Sequence, residues 1–98
     1  MQIQQVCEEL KIQGLCKSGY DFSRNYMLKE KSYYGVLKAR AKEPSLEAKL
    51  MLCFVLQQRS QAFSVSEHAT VREAASELAR LRAEVSASLM RECSEKLA

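Results

Sequence analysis

The sequence predicts an all-α protein, a compact bundle of about four helices followed by a long amphipathic C-terminal helix. Three observations favour this class. Strand formers are sparse and scattered among Ala, Leu, Glu, Lys, Arg and Gln, which favour helices. The 98 residues include only 3 glycines and 1 proline, so few positions interrupt a helix. Apolar residues also recur at helical spacing through most of the chain.

The first predicted helix lies within residues 3–15 and stops at Gly14. Its apolar stripe consists of Ile3, Val6, Cys7 and Leu10. That spacing puts the four side chains on one face, so we expect the helix to pack against the next two. We assign it a supporting role, because it carries no chemistry of its own.

Two short helices joined by a polar turn follow. Ser18 can cap a helix that begins at about Gly19, because Asp21 lies three residues after it, in the first turn. This helix ends near Met27, and the polar residues 29–32 lead out of it. A helix, a tight turn and a second short helix form the sequence pattern of a helix-turn-helix.

The third predicted helix covers about residues 32–40, with Tyr34 and Leu37 on its inward side. Its outward residues are Ser32, Tyr33, Gly35, Val36 and Lys38. A glycine inside a helix costs about 1 kcal/mol relative to alanine. Gly35 therefore indicates either the close approach of a helix or a nucleic-acid backbone, or poor local optimisation.

The fourth predicted helix begins after the only proline, Pro44, with Ser45 as its cap. Its apolar residues are Leu46, Leu50, Met51, Cys53, Phe54 and Leu56. Because they lie nearly all round the helix, we expect it to be buried on more than one side and to form the centre of the bundle.

The last helix begins at Ser66 or Thr70 and runs to the C-terminus without a glycine or proline. At about 1.5 Å per residue it reaches roughly 46 Å, more than a bundle made from residues 1–60 needs. The stripe expected to bury it against a partner includes Val71, Leu78, Leu81, Val85 and Leu89. We therefore predict a helix-turn-helix domain at 1–60 and a dimerisation helix at 61–98. A fold-back onto the same chain is the main alternative.

Positive charge is concentrated on the helix-turn-helix segment. The whole chain has a net charge of +3, whereas residues 17–42 contain seven basic and two acidic residues, a net charge of +5. Residues 60–98 contain five basic and six acidic residues, a net charge of −1. A basic surface at this place would suit phosphate groups, although a solvated helical face explains the same residues.

The remaining composition predicts a cytoplasmic protein without enzymatic activity, metal or cofactor. The four cysteines show no CxxC spacing, and the only histidine, His68, is distant from them in sequence. We expect free thiols in a reducing compartment. The sequence contains no glycine-rich phosphate loop and no catalytic triad pattern. No signal sequence and no run of about 18 apolar residues is visible, so we expect no membrane partner.

The segment SGYDFSRNYMLKEKSYYGVLKARAKEPSLEAKLMLCFVL resembles the helix-turn-helix of lambda-repressor-like (Cro/repressor, Xre-type) DNA-binding proteins. In that family a recognition helix is followed by a basic loop and the sequence Pro-Ser-Leu-Glu. Residues 32–38 here stand in the recognition helix, 39–43 in the basic loop and 44–47 at the start of the next helix. The resemblance covers about 40 of the 98 residues. The whole chain also resembles small bacterial proteins of similar pattern.

Four positions depart from the family pattern. Ser23 stands where the family has alanine, and Gly19 stands where a glutamine often holds a phosphate. Met27 and Arg40 replace the expected glycines of the turn and of the basic loop.

The resemblance implies a homodimeric transcriptional regulator that binds double-stranded DNA with its third helix in the major groove. The DNA-binding residues expected are Lys17, Ser18, Arg24, Lys29, Lys31, Ser32, Tyr33, Gly35, Lys38, Arg40 and Lys42. Those on the third helix would reach base edges, and the other basic residues would contact phosphates. The alternative is a non-catalytic adaptor that docks another protein through its C-terminal helix, with the helix-turn-helix as a scaffold.

Overall fold

The computed structural model describes residues 2–98, and this part of the chain contains five helices and no strand. The helices are α1 (Ile3–Ile12), α2 (Gly19–Asn25), α3 (Tyr33–Arg40), α4 (Leu46–Ser64) and α5 (Ala69–Leu97). The all-α prediction is confirmed, including the long last helix.

Helix α1 packs through the predicted stripe. Its four residues are buried, whereas Ile12 at the last position is 82% exposed. The backbone leaves the helix at Gln13 and passes through Gly14 with φ +73°, a conformation that glycine adopts without steric cost. Gly14 is thus the stop that the sequence indicated.

Helices α2 and α3 are held together by a buried hydroxyl group. The Ser23 Oγ donates a hydrogen bond to the Gly19 carbonyl and accepts one from the Tyr34 backbone N–H, both at 2.9 Å. The rings of Phe22 and Tyr34 meet edge to face with their centroids 5.3 Å apart. Ser23 therefore satisfies an N–H in the first turn of α3, which an alanine at this position could not do.

Helix α5 folds back along α4 as an antiparallel hairpin. The Ser60 hydroxyl donates to the Ala75 carbonyl at 2.8 Å, and the Lys49 ammonium group contacts Glu92 at 2.7 Å, so the two helices run in opposite directions. The 29 residues of α5 reach about 44 Å at 1.5 Å per residue, which matches the 44 Å long axis of the molecule.

The fold-back accounts for the apolar stripe of α5. Leu78, Leu81 and Val85 have no exposed surface and belong to a core to which all five helices contribute. Val71 and Leu89 are half-buried. The chain itself covers most of the stripe that was expected to pair two copies, and residues 61–98 share one core with residues 1–60.

A buried lysine joins the start of α4 to the end of α5. Lys49 is 1% exposed, and its Nζ lies 2.7 Å from Glu92, 3.4 Å from Glu43 and 3.3 Å from the Ser88 hydroxyl. Burial acts to lower the pKa of Lys49, but the hydrogen bond and charges of the two carboxylates outweigh it and hold that pKa above its ordinary value. The contact with Glu43 also ties the loop after α3 to the hairpin.

None of the helices in residues 2–98 combines the length and apolar character that a membrane crossing requires.

Candidate nucleic-acid interface

Helix α3 lies on the surface with one side buried and the other open to solvent. Tyr34 and Leu37 are 6% and 7% exposed and point into the protein, as predicted. Gly35, Val36 and Lys38 are exposed. A hypothetical Cβ on Gly35 would have no atom within 4 Å, so no other helix requires a glycine there.

The basic residues of the segment 17–42 are mostly free of carboxylate partners. Within residues 2–98, six of the seven have no acidic oxygen within 4 Å. These six, which we call the basic set, are exposed: Lys17, Arg24, Lys31, Lys38, Arg40 and Lys42. Lys29 differs, because its Nζ lies 3.5 Å from Glu47 and 5.9 Å from the centre of the Tyr33 ring.

The two acidic residues of this segment are occupied by local hydrogen bonds. Asp21 accepts from the Lys17 backbone N–H at 2.9 Å and from the Asn25 side chain, and these bonds lower its pKa. Glu30 accepts from the hydroxyl and the backbone N–H of Ser32, which lowers the pKa of Glu30. Both carboxylates therefore stay charged at neutral pH, but neither forms an ion pair with the basic set.

Three polar side chains that were predicted to contact DNA form hydrogen bonds within the protein. The Ser18 hydroxyl accepts from the Asp21 N–H at 3.2 Å and caps α2. The Ser32 hydroxyl donates to Glu30. The Tyr33 hydroxyl accepts from the Ser45 N–H at 3.0 Å, which closes the loop between α3 and α4. Of the predicted site, Gly35 and the basic set remain exposed, and the basic set has no carboxylate partner in the described residues.

One exposed aromatic residue that the sequence pattern did not predict lies beside α3. Tyr20 is 63% exposed, and the Lys31 ammonium group lies 6.0 Å from the centre of its ring. Helical phase could have predicted the exposure of Tyr20. Tyr20 is two residues from the buried Phe22 and therefore lies on the opposite side of α2.

The position of Gly19 also has a steric explanation. A Cβ at this residue would lie 2.9 Å from Cδ2 of Tyr34, closer than side chains tolerate. Tyr34 packs directly on the α2 backbone here, and a glutamine at Gly19 would displace it.

No group of three or more His, Cys, Asp or Glu side chains in residues 2–98 is placed to hold a metal ion. Cys7 and Cys16 are buried, and Cys53 and Cys93 are half-buried, all as free thiols.

Comparison with known proteins adds a family relationship. No curated protein and no solved structure matches the chain. One family model matches residues 3–98, which include all five helices and therefore both the basic set and the α4–α5 hairpin. The chain therefore belongs to DUF6626, a family of unknown function.

Proposed function

We propose that this chain is a DNA-binding protein that places the exposed side of α3 in the major groove, in the role of a transcriptional regulator. The observation that supports this proposal is the basic set: six exposed cations within residues 17–42, each without a carboxylate within 4 Å in the part of the chain that the structure describes. Cations that have no carboxylate partner within the protein are available to bind phosphates. When they bind the phosphates of a DNA duplex, they release the counterions of the duplex.

The geometry suggests a division of labour within the site. Lys38 and Gly35 lie on the exposed part of α3, where a side chain and a bare backbone can reach base edges. The other five members of the basic set come from the loop before α2, α2 itself, the turn, the end of α3 and the following loop, and they suit phosphate contacts. Ser18 and Tyr33 instead accept from the backbone N–H groups of Asp21 and Ser45. The side chains of Ser32 and Lys29 contact the carboxylates of Glu30 and Glu47.

Two double variants, each of which removes two positive charges, test the location of this surface. Lys38→Gln combined with Arg40→Gln removes two charges from α3, and Arg91→Gln with Lys96→Gln removes two exposed charges from α5. We expect the α3 pair to weaken binding to random-sequence duplex and to reduce the slope of log affinity against log salt by about 1, because Arg40 is the phosphate contact of the two. The α5 pair should leave the slope unchanged. Equal losses in the two pairs would contradict a binding surface on α3.

We also propose that two copies associate through the outer side of the α4–α5 hairpin. Leu50 and Phe54 on α4 are 56% and 54% exposed, and Met90 and Leu97 on α5 are 66% and 89% exposed. The Lys49–Ser88 contact places Leu50 level with the end of α5 that carries Met90. The same residues favour the alternative, an adaptor that binds a different protein, and the mass of the free chain in solution distinguishes the two.

A further inference from the structure

A shallow cleft lies between α2 and α3 on the exposed side of the helix-turn-helix. Its volume is about 210 Å³, and it is lined by Ser18, Gly19, Tyr20, Tyr34 and Gly35. Its wall is mostly carbon. We call it the Tyr20–Gly35 cleft.

The cleft exists because two side chains are missing from its walls. Gly19 lets the Tyr34 ring lie against α2, with Cδ2 only 2.9 Å from where a Cβ would be. Gly35 has open space at the corresponding position, so packing within the protein does not require it. Alanine would fit there and would favour the helix, so the close approach of an outside molecule would give Gly35 a physical use, with poor local optimisation as the alternative.

The surroundings of the cleft favour a ligand that carries several negative charges and one protruding apolar group. Lys31 lies over the Tyr20 ring with its ammonium group 6.0 Å from the ring centre, and it has no carboxylate within 4 Å in residues 2–98. Lys17 and Lys38 are exposed close by in the chain. Among the groups on the major-groove edges of base pairs, the thymine C5-methyl is the apolar one.

We propose that the Tyr20–Gly35 cleft receives the C5-methyl group of a thymine and that Tyr20 and Gly35 are specificity-determining residues. This inference rests on the proposed DNA binding and adds a base preference to it. Gly35 lets the edge of the base approach the α3 backbone, and the Tyr20 ring covers the methyl group from the side of α2. Lys31 would then contact the neighbouring phosphate.

Replacing thymine by uracil tests the methyl contact directly. Duplexes selected by the wild-type chain from a random library supply the probe, and each selected thymine is replaced in turn by deoxyuridine, which lacks only the methyl group. We expect one replacement to weaken wild-type binding about fourfold, the effect of losing one buried methyl group. The other replacements should have little effect.

Variants of the chain then assign the effect to the cleft. Gly35→Ala should raise the melting temperature by about 3 °C, because alanine favours the helix, and should lower affinity for the thymine duplex about tenfold. It should no longer distinguish thymine from deoxyuridine. Tyr20→Ala should also lose the distinction and Tyr20→Phe should keep it. Val65→Ala, an exposed apolar control at the far end of α4, should behave as the wild type.

The outcomes separate the two proposals. Salt-dependent DNA binding that is indifferent to every thymine methyl, or that survives Gly35→Ala unchanged, would overturn the cleft while leaving the proposed function intact. Absence of DNA binding by the wild-type chain would overturn both.

Discussion

At the scale of single residues, the helix-turn-helix depends on two left-handed positions that are not glycine. Leu28 has φ 53° in the turn before α3, and Ala41 has φ 52° at the end of α3. Both residues carry a side chain, so the left-handed conformation has a steric cost at each position that glycine would avoid.

Ala41→Gly should therefore stabilise the protein. The Ala41 N–H contacts the carbonyls of Leu37 and Lys38, and the Lys42 N–H lies 3.0 Å from the Leu37 carbonyl, so the left-handed conformation is built into the end of the helix. We expect the free energy of unfolding in urea to rise by about 0.5–1 kcal/mol, because glycine adopts this conformation without strain.

Ala39→Gly is the matched control for this prediction. Ala39 is exposed within α3, so glycine there should lower the free energy of unfolding by about 0.5–1 kcal/mol. A loss of stability in Ala41→Gly similar to that in Ala39→Gly would show that the left-handed conformation costs nothing at this position.

The residue scale also shows how far the candidate site could be predicted. The sequence correctly placed Tyr34 and Leu37 inward and Gly35 and Lys38 outward, because helical phase alone decides this. It could not show that the Tyr33 hydroxyl binds the Ser45 N–H, since the two residues are 12 apart and meet only in the folded chain. The ion pair of Lys29 with Glu47 likewise joins residues that meet only in the folded chain.

At the scale of helices, the spacing of apolar residues predicted where the helices lie better than it predicted which helices pack together. The third and fifth helices begin and end close to the expected residues, and Ser45 caps α4, its hydroxyl accepting from the Ala48 N–H at 3.2 Å. The apolar stripe of α5 was also real. A stripe has the same spacing whether its partner is another chain or the preceding helix, so periodicity could not choose between pairing and the observed fold-back.

The outer residues of the hairpin make the proposed association testable. Phe54→Ser removes the largest exposed apolar side chain of α4 without touching the core, because this side chain is 54% exposed. If two copies associate here, light scattering should give the wild-type chain the mass of a dimer. The variant should need at least about tenfold more protein to dimerise, the effect of losing one central aromatic contact.

Val65→Ser is the control, because Val65 is an equally apolar and 82% exposed residue at the opposite end of α4. It should dimerise as the wild type does. A single-chain mass for the wild type at every concentration would contradict self-association and leave a different protein as the partner of this surface.

At the scale of the whole molecule, the buried core and the exposed basic residues lie in different places. The core draws on all five helices and lies between the α4–α5 hairpin and the first three helices. The segment with net charge +5 encloses α2 and α3, and six of its seven cations are exposed, whereas Lys29, Lys49 and Arg80 are each paired with a carboxylate distant in sequence. A binding surface can then vary without disturbing the fold.

The affinity of the wild-type chain for random-sequence duplex DNA, measured by fluorescence anisotropy across a salt series, tests the central claim most directly. If most of the basic set contacts phosphates, log affinity should fall with log salt with a slope of about −5, a loss of about 10³-fold between roughly 50 and 200 mM salt. No binding at the lowest salt, or an affinity that does not change across the series, would contradict the proposed DNA-binding function.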